Sequence, residues 1–160
     1  MTQEPADAVL RGEVHLLDLG QTNAFAQRIA AGLRAGDVLA LRGDLGAGKT
    51  ALARLILRAL GVDDTVPSPS FTLLQEYETP RLHLSHFDLY RIEDASELDE
   101  LGFEDSLGQG VVLIEWPERA EARLPADRLD LTLEIMGDTA RRVTWTGPGR
   151  WSYLRTHETT

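Results

Sequence analysis

The stretch "GDLGAGKT", residues 43–50, holds the only lysine of a 160-residue chain whose other fifteen cationic side chains are all arginine. It matches G-x-x-x-x-G-K-[ST] at every fixed position. Glycines at 43, 46 and 48 let the backbone turn successive N–H groups inward, a nest for anionic oxygens at the head of a helix. A side chain must then reach past that nest to the outer phosphates of a nucleotide. Lysine does this as a slim, rotatable point charge, whereas a guanidinium is wider and demands fork geometry. Thr50 places a hydroxyl where Mg²⁺ sits between those phosphates. Asp44, Leu45, Gly46, Ala47, Gly48, Lys49 and Thr50 therefore form the expected phosphate cradle.

The flanks supply the context that such a loop requires. "DVLALRG" before it reads as a buried strand, and "ALARLILRAL" after it reads as an apolar helix stopped by Gly61. Further upstream, "EVHLLDL" suggests a short strand. Thr22 then caps a helix with Phe25, Ile29 and Leu33 on one face, ended by Gly36. Downstream, the paired prolines of "VDDTVPSPSF" suit an extended loop. "FTLLQEYE" and "RLHLSHFDLY" flank a "TP" turn as antiparallel strands. The acidic segment that follows predicts one or two short helices. "GVVLIEW" has the continuous apolar run of a strand buried on both faces, and "PERAEARL" starts a helix with Pro117 in its first turn. "RLDLTLEIM" and "ARRVTWTG" pair across "GDT".

Strand and helix alternate early and the tail is antiparallel. The pattern predicts an α/β fold, a three-layer P-loop NTPase sandwich with a mostly parallel central sheet and antiparallel edge strands. It is read as one domain over residues 1–147, with a flexible tail over residues 148–160.

The formal charge of −10 argues against direct, tight binding to a nucleic-acid backbone, which draws on clustered Lys and Arg. No run approaches the ~20 apolar residues of a membrane span. The N-terminus lacks the basic and apolar regions of a signal peptide. With no cysteine, disulfides and thiolate metal sites are excluded. A cytoplasmic location is the expectation. The acidic stretch "RIEDASELDELGFEDSL" has two open readings, a solvated face that confers solubility or a docking surface for a basic partner.

A phosphate loop of this type needs an acid for Mg²⁺, usually at the end of a neighbouring buried strand. "VVLIE" supplies Glu115. A second acid lies in "HFDLYR". There, alternation points His86 and Asp88 to one face and Phe87 and Leu89 to the other. Asp88 either orients the attacking water or reaches the metal; His86 reads as a hydrogen-bonded structural histidine. Ser68 and Ser70 fall where many nucleotide-binding proteins of this class keep a loop that senses the γ-phosphate, and proline-flanked serines also occur in inert loops. Trp116 has two readings as well, a pocket wall or a core aromatic.

With "GDLGAGKT", "SPSFTLLQEY", "HFDLYR", "ELGFED" and "VVLIEWPERA" in this order, the chain resembles the TsaE family over residues 16–124. These are small bacterial P-loop ATPases required for threonylcarbamoyladenosine modification of tRNA. The resemblance implies ATP or ADP in the loop, Mg²⁺ held at Thr50 and Glu115, and support of hydrolysis by Asp88, itself a candidate metal contact. It implies that Thr22 and the "SPSF" loop lie near the nucleotide. Ser70 departs from the threonine that family members often carry, though both offer a hydroxyl. The implied partners are a threonylcarbamoyl-transferase subunit and its dimerising paralogue, with tRNA reached only indirectly through that complex. ATP binding or hydrolysis is expected to reset the complex between cycles. In that setting the acidic "ELGFED" segment becomes a candidate contact. Slow turnover is expected of the isolated chain, because no arginine reads clearly as a finger in cis; Arg91 is the nearest. Two other functions use the same loop, a small-molecule kinase and a nucleotide-gated binding switch. A kinase would need an arginine-rich lid, which the sequence does not display.

Overall fold

The computed structural model describes residues 9–63 and 73–157. Ser68 and Ser70 lie outside the described residues.

The run "VVLIE" forms β5 (Val111–Glu115), every residue of which is buried. Val111 and Leu113 enter one hydrophobic cluster, whereas Val112 and Ile114 enter another. A strand apolar on both sides must lie mid-sheet, and β5 lies between β2 (Val38–Gly43) and β4 (His83–Asp88), parallel to both. The parallel centre is completed by β6 (Leu129–Ile135) against the other edge of β2. Antiparallel strands close the sheet. On one side these are β7 (Arg141–Pro148) and then β1 (Val9–Leu16); on the other it is β3 (Leu74–Glu78). The seven-stranded order is β1-β7-β6-β2-β5-β4-β3.

Helices α1 (Leu19–Gly32) and α2 (Lys49–Ala59) cover one face. Phe25, Ile29, Leu52 and Ile56 pack there with Leu39, Leu41, Leu84 and Leu113. The short helices α3 (Ser96–Glu100) and α4 (Phe103–Ser106), with a 3₁₀ segment over Pro117–Arg123, cover the other. Phe103 meets Phe87 edge to face, with ring centroids 5.2 Å apart. These three layers realise the predicted architecture.

Four local expectations are corrected. The first strand covers Val9–Leu16, starting before "EVHLLDL" and ending within it, because it must match β7 along its whole length. Gly12 is required in it, since a Cβ there would lie 2.4 Å from the Trp145 indole. Asp18, not Thr22, caps α1: its Oδ1 accepts from the Gln21 amide at 2.9 Å, while the Thr22 hydroxyl donates to the Asp18 carbonyl inside the first turn. That helix ends at Gly32, before Gly36, because Leu33 leaves helical geometry and buries its side chain. The "PERAEARL" segment is 3₁₀ with a break at Ala120.

The assignment of residues 148–160 to a flexible tail also fails for most of its length. Residues Gly149–His157 form a 3₁₀ segment whose Trp151 and Leu154 are buried in the α1/α2 cluster. Its polar groups complete the end of α1. Arg150 donates to the Gly32 carbonyl at 3.1 Å and pairs with Asp37; the Tyr153 hydroxyl donates to the Arg28 carbonyl at 2.7 Å. Helix C-termini leave their last carbonyls unpaired, and Arg150 supplies the donor that the Gly32 carbonyl lacks.

Candidate functional site

Strands β2, β4 and β5 all end on the same edge of the parallel sheet, and the candidate residues sit at those ends. At the end of β2 the chain turns through residues 43–48 directly into α2. Gly43, Gly46 and Gly48 all have positive φ. Gly48, at φ 103°, is the cap residue of α2 and offers no capping side chain, so the first-turn amides of α2 keep their donors for another acceptor. Gly43 is needed for closeness as well, because a Cβ there would stand 2.7 Å from the Leu133 carbonyl oxygen.

Lys49 is only 4% exposed. Its ammonium donates to the carbonyls of Gly43 (2.5 Å) and Asp44 (3.0 Å), and it lies 4.1 Å from the centre of the Trp116 ring. Burial pulls its pKa below the ordinary lysine value, against the opposing charges of Glu115, Glu118, Asp88 and Asp44. Leu45 and Gly46 form the outer lip, and Ala47 is buried.

The acids arrive from the neighbouring strands. Thr50, at the start of α2, donates its hydroxyl to Glu115 Oε1 at 2.5 Å. The other oxygen, Oε2, accepts from His86 Nε2 at 2.7 Å. Asp88 is the registered neighbour of Glu115 across β4 and β5, and its Oδ1 accepts from the Tyr90 amide at 3.1 Å. Burial raises the Asp88 pKa and the nearby Glu115 charge adds to this, while the Tyr90 hydrogen bond and Lys49 oppose it.

Lys49, Thr50, Asp88 and Glu115 line a cleft of about 330 Å³ walled by Tyr90, Arg91 and Trp116. The Tyr90 and Trp116 rings lie 4.9 Å apart. Trp116 holds φ at 59°, a left-handed conformation rare for a bulky residue, which presents the indole to the cleft before Pro117 opens the 3₁₀ segment. Thr22 is not among the residues lining this cleft; its hydroxyl is turned into α1. Arg141 is a participant that no local signal foretells. Its Nε donates to the Ala47 carbonyl at 2.8 Å and its Nη1 to those of Gly137 (3.0 Å) and Ala140 (2.9 Å), strapping the loop to the β6–β7 turn. Ninety-four residues of separation from Ala47 hide that contact from any motif.

Among the described residues, no three His, Cys, Asp or Glu side chains converge as a ready metal cage. A hydroxyl with one or two carboxylates is instead the partial oxygen set that Mg²⁺ uses together with phosphate oxygens and water, so the donors fit that ion in the company of a nucleotide.

A parallel strand, a glycine loop and a helix headed by Lys-Thr, with a carboxylate on the adjoining strand, define a P-loop protein. The family model described as "Threonylcarbamoyl adenosine biosynthesis protein TsaE" matches residues 16–143, and the chain belongs to that family. It is 44% identical over 130 residues to the tRNA threonylcarbamoyladenosine biosynthesis protein TsaE of Bacillus subtilis, covering 81% of each chain. To the protein of that name from Streptomyces coelicolor it is 41% identical over 138 residues, covering 80% of this chain and 92% of that one. The crystal structure of Bacillus subtilis YdiB superposes with a TM-score of 0.73 at 37% identity, over 92% of this chain and 93% of that chain.

Proposed function

We propose that this protein serves tRNA threonylcarbamoyladenosine biosynthesis as its P-loop ATPase, binding ATP and Mg²⁺ in the cleft at the ends of β2, β4 and β5. The observation that carries this reading is the meeting of Thr50 and Glu115 beside the buried Lys49. Membership in the TsaE family and the similarity to tRNA threonylcarbamoyladenosine biosynthesis proteins support the tRNA-linked role.

Each residue has a task that follows from its position. The amides heading α2 donate to the phosphate tail. Lys49 spends two of its three N–H donors on loop carbonyls, which leaves a third for a phosphate oxygen. Charge-assisted bonds to phosphate are stronger than bonds to neutral carbonyls, so the ammonium follows the nucleotide. Thr50 and Glu115 hold Mg²⁺, which supplies charge neutralisation on the outer phosphates. Asp88, a buried acceptor at the mouth of the same strand pair, positions the attacking water. Catalysis of this kind is placement and electrostatics rather than covalent chemistry.

The partners in this reading are the threonylcarbamoyl-transferase subunit and its dimerising paralogue, and tRNA is met only through them. A net charge of −10 suits a chain that binds nucleic acid at second hand. A cytoplasmic location goes with the tRNA role, and no helix among the described residues is long and apolar enough to cross a membrane. The test is a reconstitution from purified subunits with ATP, Mg²⁺ and substrate tRNA. Repeated rounds of modification should require this chain and cease with Lys49→Ala. Full multi-round modification by the Lys49→Ala variant would remove the proposal.

A further inference from the structure

We infer that His86 is a positioning residue for the Mg²⁺-binding carboxylate, holding Glu115 from behind so that its other oxygen faces Thr50 and the metal. This rests on the nucleotide reading above and adds a third residue to its Thr50–Glu115 pair.

His86 and Glu115 are respectively 0% and 2% exposed, on adjacent parallel strands. In the register His86 lies opposite Leu113, one pleat deeper in the sheet than the Asp88–Glu115 pair. From there its Nε2 reaches Oε2 of Glu115 at 2.7 Å, while Oε1 takes the Thr50 hydroxyl at 2.5 Å. An ionised carboxylate only accepts, so the imidazole proton sits on Nε2. The carboxylate is therefore held at both oxygens by partners from different elements, and its plane is set. Thr50 is the partner that a metal would share. His86, walled in by the sheet, is the one that stays.

Packing alone does not account for a histidine here. Its Nδ1 is buried with no hydrogen-bond partner among the described residues. An apolar side chain would fill the same space without burying an unpaired nitrogen, but it would leave Glu115 Oε2 without this donor. A residue that breaks the local rule of polar satisfaction is explained by the one strong contact it does make, and that contact is to Glu115. Ligand carboxylates are commonly oriented by such outer partners, whose loss costs about 10–100-fold in metal affinity.

The experiment compares the wild type with His86→Leu, His86→Asn and His86→Gln. The Gln amide reaches the Nε2 position; the shorter Asn amide does not. ADP affinity is measured by calorimetry without divalent metal and then against rising Mg²⁺, with Mn²⁺ paramagnetic resonance reporting the ion directly. In the wild type, ADP should bind more tightly as Mg²⁺ rises; absence of that response would overturn the nucleotide reading and this inference together. For His86→Leu and His86→Asn, metal-free ADP affinity should stay within about twofold, while the Mg²⁺ needed for half-effect rises about 10–100-fold. His86→Gln should return most of that loss. A wild-type Mg²⁺ requirement in the Asn and Leu variants would overturn the inference while leaving the nucleotide reading intact. So would a loss of metal-free affinity shared by all three variants. Should the Leu variant not fold, the Asn-against-Gln contrast decides by itself.

Discussion

Thr50 Oγ1 lies 2.5 Å from Glu115 Oε1, although 65 residues separate them along the chain. The contact exists because β5 pairs with β2 in parallel, setting Glu115 beside Leu41 just before the glycine loop begins. A hydroxyl and a carboxylate meet there at the head of α2, close to where a phosphate tail would enter.

If that pair holds Mg²⁺, Glu115→Gln should lower ATP hydrolysis by on the order of 100-fold while leaving metal-free nucleotide affinity within a few-fold. Thr50→Val should act on the same step. The double variant should then be little worse than the stronger single one, because residues that act as a unit are not additive. Hydrolysis assays with a Mg²⁺ titration check this, and unchanged turnover in Glu115→Gln would discard the metal assignment.

Lysine at position 49 is confined between two loop carbonyls and the Trp116 ring at 4.1 Å. A planar fork does not fit between them without moving the loop. Lys49→Arg is thus expected to weaken ATP binding by at least about tenfold, about 1.4 kcal/mol, despite keeping the charge. Calorimetry decides, and wild-type affinity in this variant would mean that charge alone suffices.

The raised pKa of Asp88 gives two linked expectations. Hydrolysis that needs its ionised form should fall on an acid limb lying above the ordinary carboxylate range. The folded state also binds the Asp88 proton more tightly than the unfolded chain. Its contribution thus favours the fold below the ordinary carboxylate value and is lost as pH rises through the raised one. Asp88→Asn should melt higher than wild type at neutral pH, with the gap closing in acid. A lower melting temperature for the variant at neutral pH would contradict this.

Trp151 is 1% exposed and packs in the α1/α2 cluster. Its truncation to Ala should cost about 3–5 kcal/mol, as for other large buried aromatics. In a domain of this size that lowers the melting temperature by roughly 10 °C. Denaturant unfolding provides the measurement; a change under about 1 kcal/mol would return this segment to the status of a loose tail.

Much of the architecture was legible because its causes are local. The period of apolar residues marked β2, α2 and β5, and glycine spacing marked the loop between the first two. Thr22 is not the cap because Asp18 offers the same chemistry one turn earlier, with Gln21 reaching back to the Leu17 amide at 2.8 Å. The packing of the C-terminal segment is hidden from the sequence because its buried Trp151 and Leu154 show no long periodic run. Only the surface of α1 tells that they have somewhere to go.

By itself the sequence determined the conformation of residues 43–50, the two-sided burial of Val111–Glu115 and the alternation that turns His86 and Asp88 to one face. Each depends on neighbours within a few residues, where sterics and side-chain period decide. Only the tertiary structure decided that Glu115 faces Thr50, that His86 stands behind that carboxylate and that Arg141 grips the loop at Ala47. Those contacts span 65, 29 and 94 residues. Strand order and register set them, and no local spacing encodes which strands will lie side by side.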